Sequence, residues 1–274
     1  MRYFRIGIII LFIASLAFSG WANYQYYSNL NTDRPVLTNS AGTLELSVND
    51  PPEAIFGGLT AVDATDGDLT GQIMVASISH FLEPGLVKVK YVVFDSHNNA
   101  ATLSRRVHYT DYQSPRFSMD KAPVYTVGTS FDLLEHVQVN DCLDGDISDR
   151  VRVLANMVNN YSEGTYPVVL EVSNSCGDTV QLTIWVHYQR QADNVSIKLH
   201  HYVVYQEQGT EFDPYQYIAG VADSNLKTLD PNDIQIRGNL DMETPGVYQL
   251  VYSYEKGNLT GKSAITIVVT ERQA

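Results

Sequence analysis

The chain has 274 residues, which is enough for two or three small domains. Its 18 basic and 31 acidic residues give a net charge of −13, so it lacks the positive surface that a nucleic-acid partner requires. Two cysteines are too few for a disulfide framework or a cysteine-based zinc site.

An apolar run occupies residues 6–22, after Arg2 and Arg5. The aromatic residues that accompany its end are Trp21, Tyr24, Tyr26 and Tyr27. Aromatic residues at the end of an apolar run are typical of a membrane interface. Together with the two arginines they favour an uncleaved signal anchor. We therefore expect a transmembrane helix at about 6–22 and a stalk to residue 35. The N-terminus would be cytoplasmic, the rest would be extracytoplasmic, and the membrane would be a partner. The alternative is a leader cleaved at Gly20-Trp21-Ala22, which would make the protein secreted.

One acidic motif occurs twice in the chain. Asp-x-x-Asp-Gly-Asp, followed by an aliphatic and a hydroxyl residue, spans 63–70 and returns at 141–148, 78 positions later. Glycine adopts positive φ without steric cost, so Asp-Gly predicts a tight turn between two strands. In the third copy Asp223-Ser224-Asn225 replaces the motif.

The segments after each motif follow one order. A glycine-containing element, a strand, a polar turn and a returning strand occur three times, with a period of about 80 residues. Short alternating strands with regular turn signals are typical of tandem β-sandwiches. We predict an all-β chain with a first repeat at residues 36–112, a second at 113–190 and a divergent third at 191–274.

These motifs resemble the bacterial immunoglobulin-like domains first described in a pesticidal crystal protein, which are related to hyalin repeats. In the second repeat the matching residues are Gly128, Phe131, 144–148, 164–166, Gly177 and Asp178; in the first they are 66–70, Pro84, Gly85, Asn98 and Asn99; in the third they are 209–213, 245–248, Gly257 and Asn258. The resemblance implies three tandem immunoglobulin-like β-sandwiches from a bacterial source. It implies no catalytic activity, because such domains serve as stalks, spacers and adhesive modules.

The acidic turns supply candidate metal ligands. The calcium candidates are Asp63, Asp66, Asp68, Asp141, Asp144 and Asp146. Asp95 and Asp178 are expected near them, because the hairpin turns would lie at the same end of each sandwich. Carboxylates gathered in loops suit Ca²⁺. Alternatively, each aspartate accepts backbone N–H bonds and holds its own turn.

The two cysteines lie in turns of the second repeat. Cys142 belongs to the acidic turn and Cys176 to the hairpin turn. If these turns share one end of the sandwich, a disulfide is favoured in an oxidising location. Two reduced thiols are the alternative.

We expect a non-catalytic, membrane-anchored cell-surface rod that acts as a spacer, adhesive or protein-interaction module. No linear catalytic motif is present in the sequence, so the chain is not predicted to be an enzyme, and no cofactor other than calcium is expected. Tyrosines crowd the third repeat, among them Tyr248, Tyr252 and Tyr254. If exposed, they favour a carbohydrate- or cell-wall-binding protein. An accessory subunit of an extracellular enzyme is a separate alternative. The expected partner is a surface protein or a glycan.

Overall fold

The computed structural model describes residues 2–28, 33–40, 42–130 and 133–272, and within the helix it describes the side chains of residues 11–25. Within these residues, helix α1 (Arg2–Ser28) precedes strands that form six sheets. The prediction of a β-rich chain is therefore confirmed. Phe131 of the immunoglobulin-like pattern and stalk residues 29–32 lie outside the described residues.

The predicted membrane anchor is corrected by the structure. Across the described part of the chain, no helix combines the length and the apolar character that a membrane crossing needs. The single-pass location predicted from residues 6–22 is therefore wrong, and attachment to a membrane through this helix is not supported.

The chain divides into two compact units. The N-terminal compact unit consists of Met1–Leu46, Asp50–Ser79 and Lys88–His108. The C-terminal compact unit consists of Ser47–Asn49, His80–Val87 and Tyr109–Ala274. Three domains with boundaries after residues 112 and 190 stay a prediction.

The first repeat forms two sheets. Its strands are β1 (Val36–Asn39), β2 (Thr43–Leu46), β3 (Leu59–Asp63), β4 (Gly67–Asp68), β5 (Met74–Ile78), β6 (Leu86–Phe94) and β7 (Ala100–Tyr109). The sheet orders are β1-β3-β4 and β2-β7-β6-β5. Buried and exposed positions alternate along β3 and β6, so that Ala61 and Tyr91 are fully buried.

The second repeat forms two sheets around one core. Its strands are β8 (Arg116–Met119), β9 (Val124–Thr126), β10 (Val137–Asp141), β11 (Gly145–Asp146), β12 (Arg152–Asn156), β13 (Gly164–Ser173) and β14 (Thr179–Gln189). The sheet orders are β11-β10-β8 and β12-β13-β14-β9. Val139 of the first sheet and Leu170 and Ile184 of the second belong to the same buried cluster, which is the packing of a β-sandwich.

The third repeat is built in the same way. Its strands are β15 (Val195–Leu199), β16 (Val203–Glu207), β17 (Ile218–Asp223), β18 (Ile234–Arg237), β19 (Gly246–Lys256) and β20 (Leu259–Thr270). The sheet orders are β15-β17 and β16-β20-β19-β18, and Ile197 and Tyr252 share one core. Short 3₁₀ helices lie at Pro52–Phe56, Thr70–Gln72, Leu134–His136, Ser148–Arg150, Pro214–Tyr217 and Pro231–Asp233.

Candidate functional site

The two acidic turns have the same internal hydrogen bonds. Asp63 Oδ1 accepts from the backbone N–H groups of Thr65 (2.8 Å) and Asp66 (3.0 Å). In the second repeat, Asp141 Oδ1 accepts from Leu143 (2.9 Å) and Asp144 (2.8 Å). The glycine of each turn has positive φ, +75° at Gly67 and +72° at Gly145. The predicted Asp-Gly turns are confirmed, and the first aspartate of each motif holds its turn.

The middle aspartate of each motif reaches the neighbouring hairpin turn. Asp66 accepts from the backbone N–H (2.8 Å) and the hydroxyl (2.9 Å) of Ser96. Asp144 makes the same pair of bonds with Ser175, at 2.8 and 2.6 Å, and also pairs with Arg150. The acidic turn and the hairpin turn are therefore side by side in each repeat, as the sequence predicts.

Three potential ligand groups meet at this place in the first repeat. A carboxylate oxygen of Asp66, a carboxylate oxygen of Asp95 and a ring nitrogen of His97 all lie within 4.8 Å of one another. Asp68 is oriented differently, because its Oδ1 accepts from the Thr70 N–H at 2.9 Å. The sequence analysis did not single out His97. Its signal is the Asp-x-His spacing inside the hairpin turn.

Hydrogen bonding keeps several of these carboxyl groups ionised. Burial raises the pKa of Asp95, but hydrogen bonds from Asn99 and His97 outweigh burial, and the pKa lies below its ordinary value. Burial also raises the pKa of Asp144, but hydrogen bonds from Ser175 and Arg150 outweigh burial. The pKa of Asp144 therefore lies below its ordinary value. Hydrogen bonds from Thr70 and Ser148 lower the pKa of Asp68 and Asp146 respectively.

The second repeat uses its hairpin turn to hold a tyrosine. The Tyr112 hydroxyl donates to Asp178 Oδ2 at 2.6 Å and accepts from Asn174 Nδ2 at 2.8 Å. Burial and the Asp178 carboxylate raise the pKa of Tyr112, so its hydroxyl remains a donor at neutral pH. Asp178 is thus occupied by a structural hydrogen bond. Calcium binding by the six aspartates stays a prediction.

The two cysteines are free thiols in the structure, and both are half-buried. Cys142 Sγ donates to the Gln113 carbonyl at 3.1 Å, and the Cys176 N–H donates to Asn174 Oδ1 at 3.0 Å. Burial raises the pKa of both thiols, which keeps them protonated and poorly nucleophilic at neutral pH. The disulfide between Cys142 and Cys176 stays a prediction.

The tyrosines of the third repeat mostly serve its core. Tyr252 and Tyr254 are 0% and 2% exposed, so neither ring can stack on a sugar. The Tyr205 hydroxyl instead accepts from the Phe117 N–H at 2.8 Å, across from the third repeat to the second. Tyr215 is 51% exposed.

An apolar edge segment, defined as residues 152–161, is exposed in the second repeat. Its strand β12 stands at the end of its sheet and pairs only with β13 among the described strands. The register shifts between Val153 and Ala155, which is a β-bulge at Leu154. Leu154, Met157 and Tyr161 are 51%, 70% and 83% exposed. Apolar side chains grouped on a surface mark contact sites.

An open cleft of about 870 Å³ lies within the C-terminal compact unit. Met119, Lys121 and Val124 of the second repeat line it, together with Ile197 and His200 of the third. Its walls thus come from both repeats and combine apolar and charged side chains.

Comparison with known proteins finds sequence similarity between this β-rich chain and a bacterial protein. No family model matches the sequence. The chain is 25% identical over 246 residues to the pesticidal crystal protein Cry22Aa of Bacillus thuringiensis. The match covers 82% of the chain and 32% of that protein, so the chain spans about a third of its relative's length. This agrees with the resemblance predicted from the motifs at the level of a β-rich bacterial domain; the specific domain type stays a prediction.

Solved structures give similarities of low TM-score. The CBM51-2 and INT domains of Clostridium perfringens ZmpB, in complex with GlcNAc, share 16% identity at a TM-score of 0.24, over 54% of this chain and 26% of that one. Drosophila N-cadherin EC1-3 shares 10% identity at 0.29, over 85% and 99%. The Bacteroides thetaiotaomicron lipoprotein BT2262 shares 12% at 0.21, over 85% and 98%. At these TM-scores none of the three similarities establishes a common fold.

Proposed function

We propose that the chain is a non-catalytic binding module made of three immunoglobulin-like β-sandwiches, at residues 36–112, 113–190 and 191–274. The apolar edge segment contacts a protein partner. The observation that carries the proposal is the exposure of Leu154, Met157 and Tyr161 within one short stretch. Large apolar side chains that leave the core at neighbouring positions are typical of protein-contact surfaces.

The way the second and third repeats are joined supports this role. Val203 of the third repeat belongs to the buried cluster of the second. Gln249 Nε2 donates to the Trp185 carbonyl at 2.8 Å, and its Oε1 lies 2.6 Å from His187 Nε2. Apolar packing and hydrogen bonds together hold the two repeats in one orientation, which suits a module that presents a surface.

The acidic turns support a scaffold rather than a reaction centre. Their carboxylates accept backbone and serine hydrogen bonds in both repeats. Groups engaged in this way position loops, which is the use of aspartate in Asx-turns.

Glycan binding is a second candidate function, and Tyr161 is the observation that favours it. Its ring is 83% exposed beside the bulged edge strand. An aromatic ring presented to solvent offers a flat apolar face with a polar hydroxyl at its end. A sugar ring could stack there.

The test uses the full chain in two matched variants. Met157→Ser/Tyr161→Ser removes one aliphatic and one aromatic side chain from the apolar edge segment. Leu226→Ser/Tyr215→Ser removes the same kinds of side chain, 87% and 51% exposed, from the third repeat. All four residues are exposed, so neither variant should change stability by more than about 1 kcal/mol.

Each protein is immobilised and exposed to a surface-protein extract of the source cells and to a glycan array. We expect wild type and the Leu226/Tyr215 variant to retain the same protein, and the Met157/Tyr161 variant to lose it at least tenfold (about 1.4 kcal/mol). Glycan retention that depends on Tyr161 would instead establish the second function. Equal retention by all three proteins would refute the proposed contact surface.

A further inference from the structure

The hairpin turns beside the two acidic turns carry different residues at one buried position. Asp95 of the first repeat corresponds to Asn174 of the second, 79 positions later. Both side chains use Oδ1 in the same way. Asp95 accepts from the N–H groups of His97 and Asn99, and Asn174 accepts from those of Cys176 and Asp178. The backbone bonds to the two side chains are therefore equivalent. The side chains differ in their second terminal atom, which is Oδ2 in Asp95 and Nδ2 in Asn174.

In the second repeat this atom is a donor. Asn174 Nδ2 donates to Asp141 Oδ2 at 3.1 Å. Asp141 is 1% exposed, so the amide satisfies the outer oxygen of a buried carboxylate. Both oxygens of Asp141 therefore have donors.

In the first repeat the corresponding atom is an acceptor. Asp63 and Asp95 are 3% and 6% exposed, and Asp63 Oδ2 is buried without a hydrogen-bond partner. Asp95 Oδ2 accepts from Asn99 Nδ2 at 2.7 Å. Because Asp95 Oδ1 accepts the same backbone bonds as Asn174 Oδ1, we infer that the Asp95 carboxyl group takes the place of the Asn174 amide beside Asp63. Position 95 therefore supplies no donor to Asp63 Oδ2, whereas Asn174 supplies one to Asp141 Oδ2. Such an arrangement is costly unless a cation compensates it.

The compensating cation has a set of ligands beside this pair. Asp66, Asp95 and His97 bring two carboxylate oxygens and a ring nitrogen within 4.8 Å of one another. Ligand atoms about 2.0–2.2 Å from a metal ion lie at such separations. His97 is exposed and Asp95 is buried, so an ion can enter from the solvent side and sit against the buried carboxylates.

The ligand types decide the class of cation. Ca²⁺ prefers six to eight oxygen ligands, whereas an imidazole with two carboxylates suits a divalent transition metal such as Zn²⁺ or Mn²⁺. We propose that Asp66, Asp95 and His97, with Asp63 behind them, form a divalent transition-metal site in the first repeat. The second repeat has no such site, because Asn174 and Cys176 stand where Asp95 and His97 stand in the first.

The test uses the full chain after removal of metals with a chelator. Zn²⁺, Mn²⁺ or Ca²⁺ is then added, and binding is followed by calorimetry and by the midpoint of thermal unfolding. Asp95→Asn installs the donor that the second repeat uses, and His97→Gln removes the imidazole. His201→Gln, an exposed histidine in the third repeat, is the matched control for non-specific binding.

We expect wild type and the His201 variant to bind one Zn²⁺ or Mn²⁺ per chain with a rise in the unfolding midpoint. Asp95→Asn and His97→Gln should each weaken this binding at least tenfold. Without metal, Asp95→Asn should unfold at the same or a higher temperature than wild type, because the asparagine can donate to Asp63. Unchanged binding by both variants, no binding by wild type, or stronger stabilisation by Ca²⁺ than by Zn²⁺ and Mn²⁺ would overturn the proposal.

Discussion

Arg105 is buried inside the N-terminal compact unit, where it is 4% exposed. Its guanidinium group donates to the carbonyl oxygens of Ile55 and Gly57, and its Cζ lies 5.2 Å from the centre of the Tyr91 ring. It also donates to Asn39 Oδ1 at 3.2 Å, which joins β7 to β1 of the opposite sheet. Carbonyl dipoles and the ring thus stabilise a charge that burial would otherwise make costly.

Replacing Arg105 by methionine keeps most of the side-chain volume but removes every donor. The Gly57 carbonyl then loses its side-chain donor and the Ile55 carbonyl keeps only the Tyr91 hydroxyl, at 2.7 Å. Arg105→Met should therefore lower the free energy of unfolding by about 2–4 kcal/mol. Denaturant titration followed by circular dichroism measures the change. Arg106→Met is the control, because Arg106 points to solvent on the same strand. Equal effects of the two substitutions would contradict this account.

At the scale of elements, the close approach of β15 and β20 depends on one glycine. A Cβ atom on Gly261 would lie 2.5 Å from the Val195 carbonyl oxygen and 2.9 Å from the Val195 Cβ. Gly220, in β17 of the same repeat, has no atom within 4 Å of its Cβ position. Packing against Val195 therefore requires a glycine at position 261, whereas position 220 has room for a larger residue.

Gly261→Ala should destabilise the third repeat by about 1–3 kcal/mol, because backbone atoms must move to admit the methyl group. Gly220→Ala should be neutral or stabilise by up to about 1 kcal/mol, because alanine has less conformational freedom in the unfolded chain. Both values come from chemical denaturation of the full chain. A smaller loss for Gly261→Ala than for Gly220→Ala would show that β15 and β20 are farther apart than described.

At the scale of the whole molecule, His187 sits where the second and third repeats join in the C-terminal compact unit. Its Nε2 lies 2.6 Å from Gln249 Oε1, and its Nδ1 lies 3.0 Å from the Thr165 hydroxyl. Burial lowers the pKa of His187, the Gln249 hydrogen bond raises it, and the nearby Lys262 lowers it; the net shift is downward from 6.5. The neutral imidazole is therefore the form that the junction stabilises.

This shift makes the stability of the C-terminal compact unit depend on pH. Above about pH 6.5 the histidine is neutral in both the folded and the unfolded chain, and its contribution is fully present. As the pH falls through 6.5 towards the lower folded pKa, the unfolded chain binds the proton first and the contribution is lost. His187→Gln should flatten the stability profile between pH 7 and 5, whereas His201→Gln should retain the wild-type slope. Identical slopes in all three proteins would remove His187 as the cause.

Local patterns made much of the architecture predictable. Alternating apolar residues predicted the strands, because a residue and its second neighbour share one face of a sheet. Asp-Gly predicted the turns at Gly67 and Gly145, because only a residue without a side chain adopts their φ at no cost. The prediction of an N-terminal membrane anchor was wrong. Its apolar run predicted a membrane crossing, but no helix among the described residues has the length and apolar character for one.

Sequence by itself determined the β-rich class, the repeated order of turns and strands, and the neighbourhood of the acidic and hairpin turns, because these follow from contacts between residues close in the chain or equivalent by repetition. Only the tertiary structure decided which groups meet across distance. It left the buried Asp63 Oδ2 without a donor, placed the Tyr205 hydroxyl against the Phe117 N–H, and exposed Tyr161 while burying Tyr252. Burial and hydrogen-bond partners depend on packing between sheets, and no single stretch of sequence encodes that packing.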